Sequence, residues 1–208
     1  MVDIEFKHKH TASLTLPLLR LEVYTDDSLL SDQVPLQKLQ SLFQSAWPAF
    51  LAIAQKENLY DGWMVNFQKK VIQIELIWTD NKTMQALNAQ YRQKNEATDV
   101  LTFTLLADAE NPDLWMSLPI LQLGSIFISV EYAKEALEKE QPLSEGRLIH
   151  YLLERFIHGV LHLFGIHHDT MEKYDQVVRI QKQVLEAVFS DSSNVMLNES
   201  TVFPTTSV

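Results

Sequence analysis

Cysteine is absent from the 208 residues. Without thiols there are no disulfides and no thiolate ligands, so any metal must be held by nitrogen and oxygen. No run of eighteen apolar residues occurs, and no membrane span is expected. A secretory leader is not expected either: Asp3 and Glu5 stand among the first residues, and Arg20 and Glu22 interrupt the later apolar segment. The cytoplasm is the default compartment. Basic residues are outnumbered, 17 Lys and Arg against 27 Asp and Glu, for a net charge of −10. That balance argues against a protein that coats nucleic acid by bulk electrostatics. It leaves room for an enzyme that meets RNA through a local basic patch, for which Lys69 with Lys70 and Arg92 with Lys94 are the candidates. Glycine and proline are modest in number and no repeat is visible.

What is present fits one well-cored globular domain, with 46% hydrophobic and 21% charged residues. VDIEF at 2–6 alternates as a strand does, LPLLRLEVY at 16–24 is a second candidate, and TDDSLLSD reads as an acidic loop. From about 34 to 56, apolar residues recur at helical spacing, and Pro48 is expected to bend or split that helix. Asp61-Gly62 signals a turn. VIQIELIW, 71–78, has the clearest strand pattern. A short helix capped by Thr79 or Asp80 then runs through Tyr91, followed by strands at 99–106 and 121–130. Ser129 is placed to cap VEYAKEALEKE. Two longer helices follow, at about 144–164 and 170–189. The sequence therefore predicts an α+β domain over residues 1–189 with a helical C-terminal half, and a flexible tail over 190–208.

Four of the seven histidines lie in HGVLHLFGIHHDT, residues 158–170. His158 and His162 are four apart on a predicted helix, so both project from one face, roughly 6 Å apart along the axis. Gly165 can end the helix in a left-handed conformation and let the chain turn back to deliver His168. Three histidines with one open position form the ligand set of a catalytic zinc. His167 adjoins His168 and could be presented instead, but the i+10 spacing favours His168. His167 then either orients a ligand, faces substrate, or is simply exposed. The same spacing occurs in zinc proteases of the pattern H-E-x-x-H-x-x-G-x-x-H. Here Gly159 occupies the place of their proton-accepting glutamate, which makes a protease the poorer reading. The nearest carboxylates are Glu154 and Asp169.

HGVLHLFGIHH closely resembles the signature H-G-x-L-H-L-x-G-x-D-H of the bacterial YbeY family, metal-dependent endoribonucleases of ribosomal RNA maturation. LNAQYRQKNEATDVLTF, 87–103, resembles a second family segment through Leu87, Asn88, Tyr91, Arg92, Lys94, Thr98, Asp99, Val100, Leu101 and Phe103. LGSIFIS, 123–129, is similar to a third, L-G-D-I-x-I-S. The likeness is strongest over 71–188. It implies a small mixed sheet packed against helices, with one zinc ion at His158, His162 and His168 in a zincin-like site. It also implies cleavage of single-stranded RNA, processing of the 3′ end of small-subunit ribosomal RNA, and a role in ribosome quality control. The implied partners are single-stranded ribosomal RNA and the small ribosomal subunit, with no membrane. Arg92 matches an arginine the family is thought to use in its active site, where a guanidinium suits charge gathering on a phosphodiester. Three positions depart from the pattern: His167 and Ser125 each replace an aspartate, and Glu154 replaces a histidine.

The general base stays open between Glu154 and a metal-bound hydroxide. The sequence also admits two other readings: a zinc hydrolase of peptides on the same scaffold, or a non-enzymatic ribosome-assembly factor whose metal only stabilises the fold.

Overall fold

In the computed structural model the described residues are 9–16, 19–25, 36–57, 70–105 and 118–190. The expected strand at 2–6, the acidic loop at 25–32 beyond its first residue, the turn at Asp61-Gly62 and nearly all of the expected tail lie outside them. The elements in chain order are β1 (Lys9–Leu16), β2 (Leu19–Thr25), α1 (Leu36–Lys56), β3 (Val71–Thr79), α2 (Asn81–Arg92), β4 (Val100–Thr104), β5 (Ile120–Ser129), α3 (Val130–Glu140), α4 (Glu145–Leu163) and α5 (Met171–Ser190). This is an α+β fold, as expected. The strand at 9–16 lies between the two candidate strands of the sequence pattern and is not predicted by it.

The strands form one mixed sheet in the order β1-β2-β3-β5-β4. β1 with β2 and β4 with β5 are antiparallel, whereas β2 with β3 and β3 with β5 are parallel. Alternation sends Leu19, Leu21 and Val23 of β2, and Ile72, Ile74 and Leu76 of β3, to one buried face. Leu121, Leu123, Ile126 and Ile128 of β5 join them across a register shift opposite Gln73 and Ile74. At that irregularity Gly124 has φ +141°, and a Cβ there would lie 2.0 Å from the Phe103 carbonyl oxygen. Only glycine lets β4 and β5 approach this closely.

Helices α1, α4 and α5 cover the buried face. Leu148, Ile149, Leu152, Leu153, Phe156, Ile157, Val160, Leu161 and Leu163 make α4 apolar on most of its circumference, wider than the single stripe its sequence suggested. It packs on β4 and β5 from one side and on α1, α3 and α5 from others, so nearly every turn meets protein. α1 runs unbroken through Pro48. Pro48 and Gln44, the residue whose carbonyl loses its N–H partner, are both exposed, which leaves that carbonyl on the solvent side. Phe164, just past α4, stacks on Trp47 and Phe50 of α1 at ring-centroid distances of 6.5 and 5.6 Å. This clamps the C-terminal end of α4.

On the opposite face α2 covers part of the sheet through Met84 and Leu87, which pack with Leu101, Phe103 and Phe127. Asp80 caps α2 by accepting a 2.7 Å bond from the Thr83 N–H, and Ser129 and Ser144 cap α3 and α4 in the same way.

At Gly159 α4 lies close against the sheet: an added Cβ would lie 2.7 Å from Cγ2 of Ile126. Gly159→Ala should therefore lower stability by about 1–3 kcal/mol. Combined with Ile126→Ala, the loss should be clearly smaller than the sum of the two single losses, as read by denaturant melts of all four proteins. Strict additivity would mean that the two side chains do not meet.

Candidate metal centre

Every histidine of the centre is delivered by the end of α4. His158 and His162 project from one face, with their rings nearly perpendicular at a centroid distance of 4.4 Å and their Nε2 atoms 2.8 Å apart. After Leu163 the helix closes with paired backbone bonds: Gly165 N–H donates to His162 O at 2.9 Å, and Ile166 N–H donates to Leu161 O at 3.0 Å. Gly165 takes φ +75°, the left-handed residue on which this type of helix end depends. The reversal brings His168 to 5.3 Å from His158 and 5.0 Å from His162 between ring centroids. One nitrogen from each of the three rings lies within 4.8 Å of the others.

The nitrogens fit a metal ion chemically. Burial is the main cause that pushes His158 down to about 4. Burial again leads for His162, pushed down to about 3, followed by the imidazoles of His158, His168 and His167 and then the Arg92 guanidinium. Both rings are therefore neutral at physiological pH, with lone pairs available. His158 Nδ1 donates to Gln181 Oε1 at 3.3 Å, which leaves Nε2 to face the cluster; Gln181 in turn donates to the Glu154 carbonyl at 3.4 Å. At 2.8 Å the two Nε2 atoms share a proton, His162 donating to the lone pair of His158, and an ion would take that proton's place. His162 Nδ1 is buried with no hydrogen-bond partner among the described residues. His168 is exposed, and the centre opens to solvent on its side.

The remaining candidates separate. Arg92 ends α2, is exposed, and is near enough for its charge to reach His162. His167 stacks on His162 at 5.2 Å and 25°, standing beside the cluster and outside the set of three. Glu154 points its carboxylate at Arg155, 3.3 Å away, and Asp169 is exposed and pairs with Lys173 at 2.8 Å. Neither joins the three nitrogens. Lys94 is exposed beyond the α2 cap. Asp99 directly precedes β4 and accepts from the Val100 N–H at 2.8 Å. Ser125 donates to Glu75 Oε2 at 2.7 Å, so a carboxylate stands on the next strand where the family pattern has its own.

Two features were not foreseen. Gln181 is a polar residue inside the buried stripe of α5, between Val177 and Val184; a polar side chain in a core position was the only signal. The second is a network behind His158. Arg155 pairs with Asp99 at 3.1 Å and lies 4.8 Å over the Tyr151 ring, whose hydroxyl donates to Asp99 at 3.3 Å. Burial opposes the charge of Arg155, but Glu154 and Asp99 outweigh it and its pKa is raised. Burial, with Asp99 beside it, raises that of Tyr151. The network ties α4 to the start of β4, directly after the segment that carries Arg92.

Residues 32–188 match the family model described as "Endoribonuclease YbeY". The chain belongs to the YbeY family. A protein of that description from Acaryochloris marina is 30% identical over 174 residues, covering 80% of this chain and 94% of its own. Another, from Alkaliphilus oremlandii, is 36% identical over 130 residues, covering 62% and 78%. A solution structure of a Thermotoga maritima protein is 19% identical, covers 88% of this chain and 97% of that chain, and has a TM-score of 0.49. The three YbeY-like segments are the ones the fold gathers at α4, at the end of α2 with β4, and on β5.

Two outcomes follow for the centre. Gln181→Met removes the acceptor of His158 at similar volume and should weaken metal binding roughly 10–100-fold, measured by competition with a chelator. Unchanged affinity would mean that α4 alone orients the ring. In the metal-free protein His158 and His162 stay neutral while the unfolded chain takes up protons below the ordinary 6.5. Stability is then fully present above that pH and drains as pH falls toward about 4 and 3. Melting curves should show this acid loss, reduced in His162→Leu.

Proposed function

We propose that this protein is a metal-dependent endoribonuclease that hydrolyses phosphodiester bonds of single-stranded RNA. In this reading residues 1–189 form a single hydrolase domain and zinc is the metal. The substrate is the 3′ region of small-subunit ribosomal RNA in the cytoplasm, met on the small ribosomal subunit during maturation and quality control. The observation that carries the proposal is the convergence of three imidazoles, two of them held neutral by burial, with an exposed Arg92 near enough for its charge to reach His162, in a chain of the YbeY family. No helix among the described residues is long and apolar enough to cross a membrane.

His158, His162 and His168 would hold the ion. A bound divalent ion supplies Lewis acidity and lowers the pKa of water. Gln181 keeps the His158 proton on Nδ1 and the lone pair of Nε2 directed into the cluster. Arg92, at the rim, holds the non-bridging oxygens of the phosphodiester, and its fixed fork of donors stabilises them as charge develops there. Its exposure in the free protein means that this interaction strengthens as RNA displaces water. Glu154 is engaged by Arg155 and receives no proton-transfer role.

The peptide-hydrolase alternative loses ground at Gly159. That position faces Ile126 at contact distance, so a glutamate there would have to displace α4 from the sheet before it could serve as a base.

The test compares parent, His162→Ala and Arg92→Ala for bound zinc and for cleavage of single-stranded and duplex RNA. The parent should carry one zinc and prefer single strands. His162→Ala should lose both metal and cleavage. Arg92→Ala should keep its metal and lose roughly 10²–10³-fold in rate. Cleavage unchanged in His162→Ala would overturn the proposal.

A further inference from the structure

The apolar stripe of α2 runs past the surface it covers. Met84, Leu87 and Asn88 are buried at 0, 2 and 3% exposure, but Tyr91, next along the same stripe, is 58% exposed. It is an exposed large aromatic placed directly before Arg92, at the end of α2 that faces the metal centre. Its ring is not loose. It meets Phe103 edge-on at 4.8 Å and 70°, and Phe103 meets Phe127 at 5.5 Å and 86°. The aromatic row is therefore anchored on β4 and β5. With 58% of the residue exposed, part of the Tyr91 side chain stays open to solvent beside this contact.

The row also connects to the metal helix. The carbonyl of Phe103 and the side chain of Leu163 both crowd Gly124, and the Thr104 hydroxyl donates to the Leu163 carbonyl at 3.5 Å. Leu163 directly follows His162. Tyr91 thus stands next to Arg92, whose charge reaches His162, with its position set by the strands that abut the end of α4.

We propose that Tyr91 is a base-stacking platform, taking an unstacked nucleobase of single-stranded RNA next to the phosphodiester that Arg92 holds. This rests on the endoribonuclease reading above. The chemistry suits the chain's charge balance. At a net charge of −10, bulk attraction cannot gather a polyanion, whereas stacking on an aromatic face does not depend on charge and accepts any base. It also provides a physical reason for preferring single strands, because bases inside a duplex already stack on one another and present no free face.

Two readouts on the zinc-loaded, full-length protein test this: anisotropy of a fluorescent single-stranded oligoribonucleotide, and cleavage kinetics. Tyr91→Ala should raise both Kd and KM roughly ten-fold, with kcat within about two-fold and bound zinc unchanged. Tyr91→Trp should restore or exceed parent binding, whereas Tyr91→Leu, equally apolar, should not. An oligonucleotide with one abasic position, moved along the strand, should bind the parent weakly at one site and lose that sensitivity in Tyr91→Ala. Equal binding by Tyr91→Ala and parent, or full rescue by Leu, would overturn the stacking role. A parent that binds single strands through Tyr91 without cleaving them would instead sink the nuclease reading and leave the platform standing.

Discussion

The close approach of α4 to β5 is the constraint on which the rest depends. It is possible because residue 159 has no side chain: Ile126 fills the space a Cβ would take. From that contact the helix runs to a fixed end, where Gly165 reverses the chain and Phe164 locks under Trp47 and Phe50. The three-histidine cluster lies at the end of this arrangement, open to solvent on the His168 side. The absent glutamate of the zinc-protease pattern is thus a requirement of packing. The position that carries it in those enzymes is used here to join helix to sheet.

Burial does a second job at the centre. It keeps His158 and His162 neutral, which costs stability in acid but leaves two nitrogens ready for an ion at neutral pH. Cations are present nearby without entering the cluster. Arg155 is held back by Asp99 and Glu154, and Arg92 stands at the rim in solvent. The separation is functional in the proposed chemistry, since a guanidinium among the imidazoles would compete with a metal, while one at the rim can serve a phosphate.

Much of this site was legible in the sequence because its parts are local. The i, i+4, i+10 spacing and Gly165 single out three histidines at one helix end, and the N-caps Asp80 and Ser129 each act within three residues. What escaped was long-range. Gln181 approaches His158 from 23 residues away, and Asp99 reaches Arg155 and Tyr151 from another element. No periodicity encodes such pairings. Pro48 does not split α1 for a related reason: its cost depends on whether the unpaired carbonyl meets water, which tertiary packing decides. The strand at 9–16 is a sheet edge, where pairing with β2 supplies the order that its polar sequence KHTASLTL does not advertise.

The account stands on His168, and not its neighbour His167, completing the set begun by His158 and His162. Calorimetric titration of zinc into metal-free His168→Ala and His167→Ala tests this directly. The geometry predicts that His168→Ala loses affinity by orders of magnitude, while His167→Ala, which removes only a stacked ring, stays within about the 10–100-fold range of an indirect effect. Near-parent affinity in His168→Ala, with binding abolished in His167→Ala, would contradict it.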